Sequence, residues 1–117
     1  MGNIHADKGE FDKAFEEYAK ALEGNRDNLT NSMARMEMGN VKYKMMDYNA
    51  AAKEYMMVAI LYDDKDMCSK ALSRAADSFE KAGAASKAAE ALKELVARYP
   101  DSELAKKAAE DIGRLKK

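Results

Sequence analysis

The chain has 117 residues, with 20 Lys and Arg against 21 Asp and Glu and a formal charge of −1. That length corresponds to one domain burying about two-thirds of its surface, and a charge near zero argues against nucleic acid or a membrane surface as the main partner, since both reward a basic excess. No apolar run approaches the roughly 20 residues that cross a bilayer, the N-terminus lacks the basic region and apolar core of a secretory signal, and the lone Cys68 excludes an internal disulfide.

Abundant Ala, Lys, Glu and Met with one proline and no Trp favour an all-helical fold. In chain order, the pattern predicts a short helix at 2–8 and a second near 11–24, followed by the polar link EGNRDN. Asp27 or Asn28 can cap the next helix, which runs to about Met46, and Asp47 marks the turn into a helix carrying Ala51, Tyr55, Val58 and Ala59. DDKD at 63–66 is a second polar link that puts acidic residues at a helix N-terminus. Leu72, Ala75, Phe79 and Ala82 then share a helix face, Gly83 permits a tight turn, and Ser86 or a neighbour starts a helix. That helix carries Ala88, Leu92, Leu95 and Val96 and stops at Pro100. Asp101 or Ser102 starts a last helix with Leu104, Ala108, Ile112 and Leu115 at helical spacing.

A shift of 37 residues lays the chain on itself. Gly2, Gly39, Ala76 and Gly113 align, as do Ala14, Ala51 and Ala88; Tyr18 aligns with Tyr55 and Leu92, and Ala21 with Val58 and Leu95. Gly9 and Gly83 align across Met46 at the inter-helix turn. Small residues match small and bulky match bulky, which is what closely packed helix pairs require, because a small residue on one helix admits a large one from its partner.

GEFDKAFEEYAKAL at 9–22, with Gly9, Phe11, Ala14, Tyr18 and Ala21, resembles the second half of a tetratricopeptide repeat (TPR). Leu72, Ala76, Phe79, Gly83, Ala88 and Pro100 carry the same pattern in a later unit, and the YPDS ending is similar to bacterial periplasmic members. The resemblance covers essentially the whole chain and implies an all-α, α-α superhelix of antiparallel helix pairs. Its units are about 1–28, 29–65 and 66–101, with 102–117 a capping helix or the first helix of a fourth unit. The period departs from the family's usual ~34; three extra residues are nearly one helical turn and preserve the buried face. The first helix, entered part-way by the repeat phase, is expected to leave an open end, as in a segment of a longer array or one covered by another subunit.

The residues point away from catalysis. His5 is the only histidine, no glycine loop is built for phosphate, and the carboxylates alternate with lysines along solvated faces. No cofactor or metal is expected: eight of nine methionines lie between Met33 and Met67, but without a second Cys or a nearby His. Met38, Met45 and Met57 read as core filling, whereas Met33, Met36, Asn40 and Tyr43 form a separate stripe. In the family, such first-helix positions line a concave groove that holds peptides. The same phases carry Asn3 in the first unit and Lys70, Ser73 and Asp77 in the third. The resemblance therefore implies a protein-binding scaffold gripping an apolar anchor through Asn3, Met33, Met36, Asn40, Tyr43, Lys70, Ser73 and Asp77. A carboxylate grip is rejected, because Glu37 stands where the family has Asn. The second reading is a structural module that self-associates through open ends. Compartment stays open between cytoplasm and bacterial periplasm.

Overall fold

A computed structural model of the chain describes residues 4–24 and 28–115. Six helices and no strand occur among these residues: α1 (Ile4–Gly24), α2 (Asn28–Lys44), α3 (Tyr48–Leu61), α4 (Lys65–Lys81), α5 (Ala85–Arg98) and α6 (Glu103–Leu115). The fold is all-α. Each helix packs on the next in sequence, and α4 also touches both α2 and α6.

The 37-residue period reappears as geometry. Moving α2 and α3 along by 37 residues gives the bounds of α4 and α5, and the two pairs have the same lengths, 17 and 14 residues. Their turns repeat bond for bond. The amides of Met46 and Asp47 donate to the carbonyls of Tyr43 and Lys42, as those of Gly83 and Ala84 do to Glu80 and Phe79. Gly83 adopts φ +81°, and Met46, at the equivalent position, is forced to φ +66°. A side chain in this left-handed region crowds the following carbonyl, so the second unit tolerates strain that the third avoids.

Asp47 and Asp64 cap α3 and α4 by accepting from the amides of Ala50 and Met67 at 3.4 and 2.8 Å, and the Ser102 hydroxyl accepts from Leu104 at 3.1 Å. The helix expected to start at Ser86 or a neighbour starts at Ala85, with Ala84 at the cap position and no side-chain acceptor there. A cap at Asp27 lies outside the described residues.

The first unit departs from expectation. In place of a short helix, a turn at Gly9 and a second helix, α1 runs unbroken from Ile4 to Gly24. A glycine inside a helix costs only about 1 kcal/mol relative to alanine, and Ala6, Lys8 and Glu10 around Gly9 are good helix formers, so the glycine alone does not stop the helix.

Two apolar clusters hold the helices together. Met36, Ala51, Tyr55, Val58, Ala71 and Ala75 join α2, α3 and α4. Leu72, Ala76, Leu92, Leu95, Ala105 and Ala108 join α4, α5 and α6. The aligned small and bulky positions pack together: a Cβ on Gly39 would lie 2.6 Å from the Tyr55 ring, and Ala76 and Leu92 belong to one cluster one period on.

The two turns make opposite predictions. Met46→Gly releases the left-handed strain and raises stability by about 1 kcal/mol, while Gly83→Ala introduces it and lowers stability by a similar amount. Urea unfolding followed by circular dichroism reads both; equal effects of the two changes would contradict the shared turn geometry.

Candidate docking face formed by α2, α4 and α6

The orientation of the helices follows from side-chain partners. Tyr43 stacks edge-on against Tyr48 at the turn, Asn40 meets Tyr55, and Arg35 meets Glu54 farther out, so α2 and α3 run antiparallel. Asn40 pairs with Arg74 and Tyr43 with Asp77, both 34 residues apart, so α2 and α4 run parallel. Arg114 bridges to both Glu80 oxygens at 3.0 and 3.1 Å with the same separation of 34. The first helices of successive pairs thus lie side by side, tied by one ladder of polar contacts.

Asn40 is the centre of that ladder. Its side-chain oxygen accepts from the Tyr55 hydroxyl at 2.5 Å and from Arg74 at 3.0 Å, and its amide donates to Glu37 at 3.1 Å. The Tyr43 hydroxyl donates to the Asp77 carboxylate. Asn40, Tyr43, Tyr55, Arg74 and Asp77 line a cleft of about 200 Å³. A second cleft of about 250 Å³ adjoins it between α4 and α6, with Ser73, Arg74, Asp77 and Glu80 on one side and Lys107 and Asp111 on the other. Leu92 and Leu104 are the large apolar side chains in its lining.

Asn40, Tyr43, Ser73 and Asp77 of the predicted stripe therefore line the two clefts. Met33 is 51% exposed, and Lys70 is exposed. Met36 is a correction: it is 5% exposed and packed among Ala51, Tyr55, Val58 and Ala75, so it is core and offers no anchor point to a ligand. The error arises because Met33 and Met36 are chemically alike and one turn apart, and only the position of α3 and α4 separates them. Asn3 lies outside the described residues, as does the side chain of His5. Arg74, Lys107 and Asp111, which the groove stripe omitted, complete the face. The α6 residues were not legible, because their placement depends on how α6 docks.

A larger groove of about 510 Å³ lies between α3 and α5 with Phe79 of α4 in its lining, beside Met56, Met57, Ile60, Lys53 and Lys87. Met57, expected to be core, faces this groove, and Ile60 is 67% exposed. Cys68 is fully buried, its thiol donating to the carbonyls of Val58 and Tyr62 at 3.6 and 3.1 Å. Among the described residues no group of His, Cys, Asp and Glu is placed to hold a metal ion, and no helix is long and apolar enough to cross a membrane. The chain matches no protein-family model, and comparison with curated proteins finds no similar sequence.

Burial, and then the bond to Asp77 and its charge, push Tyr43 up to about 12, and burial does the same to Tyr55. A folded-state value above the unfolded one of 10.0 means that the folded protein holds the proton more tightly. The two phenols therefore contribute in full below pH 10 and lose that contribution as pH rises toward 12. Unfolding free energy measured across that range should fall with pH, and Tyr43→Phe should flatten the slope; a pH-independent stability would contradict the ladder.

Proposed function

We propose that this chain is a non-enzymatic, TPR-like α-solenoid that docks an extended peptide of a partner protein across α2, α4 and α6. The observation that carries this reading is the parallel ladder itself, which sets two clefts side by side on helices of fixed spacing. Preorganised helices reduce the entropy lost on binding. The lining changes the expected ligand. With Met36 in the core and Arg74, Asp77, Glu80, Lys107 and Asp111 around the clefts, the face suits a peptide with both charges rather than one led by an apolar anchor.

A second reading rests on the groove between α3 and α5. Its Met56, Met57, Ile60 and Phe79 lining suits the apolar stripe of a helix, since methionines repack around varied partners.

Peptide display on the folded chain separates the two. Ser73→Arg with Lys107→Glu obstructs and recharges the polar clefts, and Ile60→Asp disrupts the apolar groove. The proposal predicts that enriched peptides lose about tenfold or more in affinity only with the first variant. Loss confined to Ile60→Asp would move the site to α3 and α5, and enrichment unchanged by both would contradict each reading.

A further inference from the structure

The register of the six helices alternates between two kinds. The last fourteen residues of α1, Phe11 to Gly24, are the counterparts of α3 and α5, while α6 is the counterpart of α2 and α4 one period on. Within the chain, α2 pairs with α3 and α4 with α5 through a small residue set against a large one: Gly39 under Tyr55, and Ala76 beside Leu92. A third such interface exists only as two separated halves. On α1, Ala14 and Tyr18 are half-buried and Ala21 is exposed, whereas their counterparts Ala51, Tyr55 and Val58 are at most 2% exposed. On α6, Ala109 and Gly113 are exposed, whereas their counterparts Leu72 and Ala76 are at most 2% exposed. A Cβ on Gly113 would meet nothing within 4 Å. Since α1 runs straight through Gly9, the described chain folds no helix back onto its open stripe.

We propose that copies of this chain associate head to tail, with α6 of one copy packing against α1 and beside α2 of the next. Tyr18 of the second copy covers Gly113 of the first, reproducing the contact of Tyr55 with Gly39. Tyr18 and Gly113 occupy the same register positions as that pair. One rung of the polar ladder can continue across the junction as an ion pair. The offset that sets Arg74 against Asn40 sets Arg114 of the first copy against Glu37 of the second. Both are accessible: the Arg114 side chain is 57% exposed beside Glu80, and Glu37 is exposed beside Asn40. Because the two surfaces differ, the contact is heterologous, and assembly continues copy by copy unless its rotation closes a ring. This inference does not depend on the peptide-docking reading.

Sedimentation velocity over a concentration series tests it. The wild-type chain should show a weight-average sedimentation coefficient that rises continuously with concentration. Gly113→Glu blocks the α6 face and Tyr18→Glu the α1 face; each alone should weaken association by about tenfold or more. Mixed, they should form one-to-one pairs and no larger species, because each keeps the face that the other lacks. Glu37→Arg provides an exposed second variant of the α1 and α2 face, and circular dichroism melts confirm that all variants fold. A concentration-independent wild-type monomer would overturn the proposal. So would association untouched by these variants, or a mixture that fails to pair.

Discussion

The close approach of Tyr55 to Gly39 is the contact on which the rest of the molecule depends. A side chain at residue 39 would collide with the aromatic ring, so the absence of a Cβ lets α3 settle onto α2. Tyr55 is then 2% exposed, and its hydroxyl reaches the Asn40 oxygen that also accepts from Arg74. One residue thus joins α3 to α2 through packing and, through Asn40, joins both to α4. The neutral bond from Tyr55 to Asn40 contributes about 1 kcal/mol, whereas burying the aromatic ring contributes about 1.5–3 kcal/mol. Between α2 and α3 the ring therefore outweighs that bond, and the ladder fixes the register in which it is used.

Much of this was legible in the sequence because packing periodicity leaves a compositional trace. The alignment of Gly39 with Ala76 and of Tyr55 with Leu92 identified the helix pairs, and Asp47 and Ser102 identified helix starts through cap chemistry. Turn conformation was less visible. Met46 occupies a left-handed position that composition reserves for glycine, and it does so because the hydrogen bonds of the turn are the same as those at Gly83. Conversely, Gly9 looked like a turn and lies inside a helix. A glycine permits a turn without imposing one; the chain reverses where tertiary packing rewards it.

The candidate face was legible only in part, for a different reason. Helical spacing assigns residues to a stripe on their own helix but does not say which neighbour covers that stripe. Met36 and Asn40 belong to one stripe, yet α3 and α4 bury the first and leave the second half-exposed. The pairing of Tyr43 with Asp77 depends on the axial offset between parallel helices, and so does that of Glu80 with Arg114. That offset is a product of packing and has no local signature. The same offset turns a set of isolated polar residues into two adjoining clefts, and it gives the two open helix stripes a common geometry.

A double-mutant cycle at residues 39 and 55 tests the central contact most directly, with stability read by urea unfolding. Gly39→Ala should lower stability by about 1–3 kcal/mol through overpacking, despite the gain of up to about 1 kcal/mol in helix propensity. In a Tyr55→Leu background, which recreates the combination found at Ala76 and Leu92, the same change should become neutral or stabilising. Additive effects at the two positions, or a stabilising Gly39→Ala in the wild-type chain, would contradict the account.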